Sequence, residues 1–293
     1  MDPQLAKLHK PDPVAFEYTT RDAIVYALGI GCKAKEGIRY VYEGAEGFMP
    51  LPTYIVAPGL NANSSRNWPG LKIDMKRILH GEQYIELYAP LPVEGSLRSE
   101  KRIVDILDKG SGALIMSEIT TFDAITGKKL AMQQICLFQV GAGKFGGAKT
   151  SSHDKKGAEI PKRPADRILS DVTSEDQAAL YRMGSGDLNP LHVDPAFAKM
   201  GGFNTPILHG LCTMGFATRH VLRAFTNNDA SLFKAIKVRF ASPVIPGQTL
   251  ETHMWDEGDR VVFETRVKET GKTVISNGYM LLHGKKGRGQ AKL

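Results

Sequence analysis

The sequence predicts an α+β protein in which one unit occurs twice, each copy an antiparallel sheet wrapped around a helix. Three observations carry that reading. A polar stretch with Pro and Gly, AKTSSHDKKGAEIPKRPADR at 148–167, holds almost no large apolar side chain and separates two halves. The halves repeat landmarks in one order: Tyr26, Gly29 and Gly31 return as Tyr181, Gly184 and Gly186, ILHG at 78–81 returns at 207–210, and PVEGSL at 92–97 is echoed by VIPGQTL at 244–250. Each half also ends in alternating, β-branched or aromatic segments split by turn residues, the pattern of an antiparallel meander.

In the first half the meander is SLRSEKRIVDILD, ALIMSEITTFD and KLAMQQICLFQV, divided by KGSG and AITGK. In the second it is LETHMWDE, RVVFETRVKE and KTVISNGYMLLH, divided by EGD and ETG. The second half also carries PILHGLCTMGFATRHVLRAF, where Leu211, Met214, Val221, Leu222 and Phe225 recur at helical spacing behind Pro206, a residue suited to a helix start. The expected boundaries are an N-terminal unit over 1–150, a linker over 151–167, a second unit over 168–284 and a basic tail over 285–293.

Composition excludes several classes. With 293 residues, 42% of them apolar and 24% charged, the chain has the balance of a globular protein with a sizeable core. No run of about eighteen apolar residues is present to span a membrane, and the N-terminus MDPQLAKLHKPDPVAF lacks the basic-then-apolar pattern of an exported chain. Cys32, Cys136 and Cys212 lie far apart with no C-x-x-C, which argues against a disulfide scaffold or zinc ribbon and fits a reducing compartment. The net charge of +7 is confined to two places, +3 in 148–163 and +4 in 284–293. It belongs to linker and tail rather than to a basic groove, so nucleic acid is not an expected partner.

The copies differ in two informative ways. Between the end of ILHG and the glycine before the meander, 37 positions separate Gly210 from Gly247 but only 14 separate Gly81 from Gly95. The first copy then has no room there for a long helix, and the space left under its sheet is a candidate pocket for a large apolar ligand. The other difference is GDLNPLHVDP at 186–195, which brings Asp187, Asn189, His192 and Asp194 into a proline-stiffened loop, while the first copy continues CKAKEGIRYVYEG after Gly31. One polar copy and one blank copy point to a single reaction centre per chain. An Asx-type turn closing a helix is the plainer reading of D-x-N-P-L-H. A metal is not expected, because no second histidine stands at ligand spacing. His80 and His209, one in each ILHG, read as structural, and Met214, Phe216 and Phe225 as core.

The stretches ALYRMGSGDLNPLHVDPAFA, ILHGLCTMGFATRHVL and KVRFASPVIPGQTLE resemble the MaoC-type hydratases, specifically 2-enoyl-CoA hydratase 2. In the first half VYEG, LPTY, LHGEQYIELYAPLP, DILDKGSGALI and GKFGG are similar to the N-terminal half of that hydratase as it occurs in the peroxisomal multifunctional β-oxidation enzyme type 2. The likeness covers nearly the whole chain. It implies a double hot-dog fold, with a shortened or missing central helix in the N-terminal unit. It also implies reversible, (3R)-specific hydration of trans-2-enoyl-CoA without a cofactor, a hydro-lyase reaction, and a homodimer. The dehydrogenase and sterol-carrier portions of the multifunctional enzyme have no counterpart here. GSGD stands where many members have SGD, which lengthens the approach to the loop. The terminal Ala-Lys-Leu is a variant of the S-K-L peroxisomal address, so a peroxisomal import receptor is an expected partner.

Hydrating an enoyl thioester needs water held at C3, a proton delivered to C2, and relief of negative charge on the thioester oxygen. Asp187 and His192 suit the first two needs, and Asn189 supplies a further hydrogen bond to the loop or the water. The amide near Gly210, at the start of the long helix, suits the third. Lys237 and Arg239 on the KVRF strand, and Lys144 in the flexible GAGKFGG segment, are candidate contacts for the coenzyme A phosphates. Glu43 in VYEG reads as a solvated acid with a conceivable pocket role. Two other functions share these residues: a MaoC-type dehydratase acting on carrier-protein or specialised esters, and a non-catalytic acyl-CoA binding module. A hot-dog thioesterase would release free thiol, which separates it from both.

Overall fold

The computed structural model describes residues 1–64 and 67–285. Among them, ten strands form one sheet: β1 (Val14–Tyr18), β2 (Ile78–Leu87), β3 (Gly95–Asp108), β4 (Gly112–Asp123), β5 (Lys129–Val140), β6 (Arg167–Val172), β7 (Phe233–Phe240), β8 (Thr249–Asp256), β9 (Arg260–Val267) and β10 (Thr273–Leu282). Seven helices accompany them: α1 (Pro3–Leu8), α2 (Thr20–Gly29), α3 (Ala34–Val41), α4 (Val56–Ala62), α5 (Gln177–Ser185), α6 (Pro195–Met200) and α7 (Gly210–Phe225). The six segments of the two meanders are β3, β4, β5 and β8, β9, β10.

The strand order is β1-β3-β4-β5-β2-β7-β10-β9-β8-β6, antiparallel throughout. Read from its own edge, each half has the same order, so β1 to β5 match β6 to β10 with β2 equivalent to β7. These two strands pair at the seam, from Glu82 opposite Arg239 to Glu86 opposite Ala235. The duplicated unit is therefore present as expected.

One landmark of the duplication is not what its sequence suggests. ILHG at 78–81 opens β2, whereas ILHG at 207–210 leads into α7. Because β2 is equivalent to β7, the two tetrapeptides occupy different places and their identity is coincidental. The interval from Gly81 to Gly95 thus says nothing about the first unit's helix, which lies upstream as a 3-10 turn over Pro52–Ile55 running into α4. α4 has 7 residues against 16 in α7, so the helix of the first unit is short as expected. Pro58 falls in its first turn, where a missing N–H breaks no helix bond, and the Gln133 amide on β5 donates to the Ile55 carbonyl at its start at 2.7 Å. α7 also begins later than Pro206 suggests, at Gly210, and buries every residue from Leu211 to Leu222 beneath β6, β7, β8 and β10.

The units are fastened to each other by α2 and α5. A Cβ on Gly29 would fall 2.8 Å from Tyr181 Cα, and one on Gly184 would fall closer still to Tyr26 Cα. The two glycines let the backbones touch, and the two tyrosines change places across the contact. Gly184 is thus a helical residue of α5, so GSGD does not lengthen the approach to the loop. The carbonyls at the end of α2 are taken by the other unit: Gln177 donates to Gly29 O at 2.6 Å, Cys212 lies 3.3 Å from it, and Arg219 donates to Ile30 O at 3.1 Å.

A buried ionic cluster then sets the position of α7. The Asp171 carboxylate on β6 meets Arg219 at 3.3 Å, His220 at 3.2 Å, Lys33 at 3.7 Å and Arg223 at 3.8 Å, and Arg223 also meets Glu36 at 2.6 Å. Burial acts to raise the Asp171 pKa, but His220, Arg219 and Arg223 together hold it well below the carboxylate range.

Gly184→Ala should lower stability by roughly 1–3 kcal/mol or more, since backbone rather than a movable side chain stands in the way. Urea unfolding measures it, and an unchanged midpoint would contradict the close approach of α2 and α5.

Candidate active site

The loop that carries Asp187 begins where α5 stops. Gly186 caps the helix in the left-handed region at φ 71°, a conformation that favours glycine, and its N–H closes on Arg182 O. Ser185 Oγ then donates to Tyr181 O at 2.8 Å and accepts the Asp187 amide at 3.2 Å. The Asp187 carboxylate accepts the Asn189 amide at 3.2 Å, and Asn189 Oδ1 accepts the Leu191 amide at 3.1 Å. Asn189 therefore orders the loop, capping the 3-10 turn Pro190–His192 that presents His192.

His192 Nδ1 lies 2.8 Å from Ile207 O. A carbonyl can only accept, so Nδ1 carries the proton and the neutral ring offers the lone pair of Nε2. One ligand-capable atom from each of Asp187, His192 and His209 lies within 4.8 Å of the others. Two partners of one tetrahedral water, each about 2.8 Å from it, stand about 4.6 Å apart, so the spacing suits a shared water. Gly210 is the first residue of α7, where the N–H has no intrahelical acceptor and the helix dipole is positive. A Cβ there would press on the Phe240 ring at 3.1 Å.

The two histidines read as structural both belong to this centre. His209 stacks on His192 with centroids 3.6 Å apart and planes 28° apart, and its ring also meets Tyr181 at 4.8 Å. His80 reaches in from β2 of the first unit, with Nε2 3.1 Å from Gln83 Oε1 and its ring edge-on to Phe240 at 5.0 Å. The coincidental ILHG match hid them both. The D-x-N-P-L-H loop and the place directly before Gly210 are the signal that could have found His209, whereas nothing local in β2 marks His80.

Burial lowers the pKa of each of these rings. It holds His80 down to about 4 and His209 to about 2, the latter aided by the neighbouring His192, and it lowers His192 against the pull of Ile207 O and Asp187. The cluster offers three metal-type donors within 4.8 Å of one another.

The other sequence candidates are not brought to this loop. Lys237 is buried, 1% exposed, with its ammonium 2.6 Å from Glu82 Oε2, so it is no surface contact for phosphate. It lies with Arg239 on the sheet face that turns away from α7, lining a cavity of about 260 Å³ under linker residues Asp154, Lys156 and Gly157. Alternation in KVRF gave the shared face of the two cations but not which face it was. Lys144 is exposed in a turn whose amides, with those of Gly110 and Gly146, bind the Asp108 carboxylate, so that segment is tied rather than loose. Glu43 is exposed in the turn after α3. The basic tail and its Ala-Lys-Leu lie outside the described residues from 286 onward.

Comparison with known proteins places these features. Residues 16–141 match the MFE-2 hydratase 2 N-terminal domain and residues 156–278 the MaoC like domain. A probable enoyl-CoA hydratase 2 of Dictyostelium discoideum is 41% identical over 279 residues, covering 94% of each chain. The chain belongs to the MaoC-like enoyl-CoA hydratase 2 family. The peroxisomal multifunctional enzyme type 2 of Mus musculus is 51% identical over 278 residues, 93% of this chain, which spans 37% of that relative. Among solved structures, a MaoC-like dehydratase from Phytophthora capsici superposes with a TM-score of 0.85 at 34% identity, covering 94% of this chain and 97% of its own. A Mycobacterium tuberculosis protein described as a double hotdog fold, 14% identical with a TM-score of 0.57 over 93% of this chain and 96% of its own, shares the fold alone. This family member is thus a double hot-dog with the shortened helix in its first unit.

Four enclosed imidazoles, His80, His192, His209 and His220, have pKa values below their ordinary one. In the unfolded chain they take up protons near pH 6.5, while in the folded chain they resist, so stability is full above that pH and falls as pH drops toward the folded values. His80 and His209, held down to about 4 and about 2, each contribute roughly 1.4 kcal/mol per pH unit over that window, and His192 and His220 act in the same direction. The thermal midpoint should therefore fall between pH 6.5 and 5, and a flat midpoint down to pH 4.5 would contradict it.

Proposed function

We propose that the chain adds water across the double bond of trans-2-enoyl-CoA to give (3R)-3-hydroxyacyl-CoA, and runs the same step in reverse. The observation that carries this is the gathering of Asp187, His192 and His209 within 4.8 Å, directly before the first amide of α7, with the His192 Nδ1 proton committed to Ile207 O. The family membership and the names of its relatives agree with it.

The water oxygen bonds to C3 as its proton passes to one of the two groups, and a proton is placed on C2. Both groups stand on one side of the substrate, so oxygen and proton arrive on the same face. Charge that gathers on the thioester oxygen meets the Gly210 amide, and a donor of this kind contributes about 10²–10³ in kcat. Asp187, with two acceptor oxygens, holds the water, while the lowered pKa of His192 keeps it a base at neutral pH.

The reading extends to place and partners. The relatives named peroxisomal and the terminal Ala-Lys-Leu support a peroxisomal enzyme recognised by the import receptor, working as a homodimer in fatty-acid β-oxidation. The short α4 supports the first unit as the seat of the acyl chain. Lys144 stays the candidate contact for a coenzyme A phosphate.

Loss of enoyl-thioester absorbance, followed for CoA and carrier-protein esters side by side, tests the proposal. Asp187→Asn and His192→Gln should each lower kcat/KM by about 10²–10⁴ with the fold intact by circular dichroism. Preference for the carrier-protein ester would favour the dehydratase reading, and wild type as inactive as both variants would leave only a binding module. Gly210→Val should lower kcat severely, in part by displacing Phe240.

A further inference from the structure

The hydration step uses Asp187, His192 and Gly210 and leaves a second imidazole in the same centre without a role. His209 directly precedes Gly210 and is 1% exposed. Neither of its ring nitrogens makes a hydrogen bond of good geometry, although the Asp187 main chain acts on the ring in the direction of holding a proton. A buried imidazole with both nitrogens so poorly met is uncommon and calls for a reason. What His209 supplies is a flat face, 3.6 Å from His192, backed at 4.8 Å by Tyr181, which is fully buried and packs on Tyr26 at 5.8 Å.

We propose that His209 is a positioning residue for His192: its ring, braced by Tyr181, fixes the plane of the His192 imidazole and keeps water off one of its faces. In what it says of rate this rests on the hydration reading, but in what it says of His192 itself it stands apart. The Ile207 carbonyl holds Nδ1 and leaves the ring free to tilt about that bond. A stacked neighbour removes the tilt and so fixes where Nε2 points. The same contact excludes solvent that would stabilise the imidazolium. Around the pair stand Asp187 from the loop, Tyr181 and Arg182 from α5, and His80 from β2 beyond Asp187. Of these, Asp187 favours protonation of His192, and burial opposes it and prevails.

Removing the ring while keeping the fold should hydrate His192, raise its pKa, and move the acid limb of kcat/KM to higher pH, since the base works only when unprotonated. The test compares His209→Ala with His209→Phe by two readouts: the pH profile of hydration, and the titration of the His192 ring proton by NMR, assigned with His192→Gln. His209→Ala should shift both upward and lower kcat at neutral pH by about 10–100-fold with little change in KM, the scale of a misplaced catalytic group. His209→Phe, which keeps the face and drops the nitrogens, should leave limb and midpoint where they are in wild type. Should His209→Ala not fold, His209→Gln, which lacks a planar ring, takes its place. An unmoved His192 midpoint on loss of the ring, or a loss in His209→Phe equal to that in His209→Ala, would overturn the proposal. A wild type in which the midpoint behaves as expected but no enoyl-CoA is hydrated would instead strike the proposed function and leave the pairing standing.

Discussion

The reciprocal contact of α2 with α5 is the constraint from which the centre is built. Where Gly29 meets Tyr181 and Gly184 meets Tyr26, the helices approach to backbone distance, and no other residue type fits without moving main chain. This forces Tyr26 and Tyr181 to lie side by side at the join of the two units. From there ring contacts run without a break through Tyr181 to His209 and His192, and on the other side from Tyr26 through Tyr54 to Tyr18. A displacement of the units relative to each other would therefore be felt at the His192 ring. The interior is close-packed, and such a file of rigid rings has few ways to absorb a shift.

α7 supplies the second fixed line. Its first amide directly follows His209, and its Arg219, His220 and Arg223 are anchored on Asp171 about two and a half to three and a half turns further on. Burying a carboxylate is costly unless it is met by charge and hydrogen bonds together, and here it is met by both. His220 is turned by a further bond from Nδ1 to Thr252 Oγ1 at 2.8 Å. The cluster draws Lys33 and Glu36 from the first unit, so the helix that presents Gly210 is located by both halves of the chain.

What the sequence reveals follows the reach of each signal. The six meander strands are legible almost to the residue, because alternation and turn residues act within one segment. So is the Tyr-Gly-Gly repeat, whose glycines answer to a packing need that occurs once in each copy. ILHG misleads because four residues carry no information about the element that contains them, and the true equivalent of 207–210 is the stretch before Pro52, which shares little of its chemistry. The start of α7 lies four residues beyond Pro206 because proline suits extended chain as well as a first helical turn. Lys237 reads as a surface cation because its burial depends on linker residues 154–157 folding back over the sheet, and no local pattern contains that. His209 and His80 come near the Asp187 loop only through tertiary packing, the second of them across the seam between units.

The same packing accounts for the polar loop standing in one unit and not in both. Gly31 ends α2 as Gly186 ends α5, with φ 74° and 71°, so the chain leaves both helices in the same direction. After Gly186 it enters an open loop, but after Gly31 it enters α3, whose Glu36 and preceding Lys33 feed the cluster that anchors α7. The segment that could have carried a second acid and imidazole is thus committed to locating the helix that serves the first. The matching helix in that unit is also unsuited to holding an oxyanion. It opens with a 3-10 turn led by Pro52, which has no N–H to offer a developing negative charge, and it ends at Ala62. Among the described residues, the first unit thus brings neither the polar loop nor a leading helix amide to the place where the second unit has both.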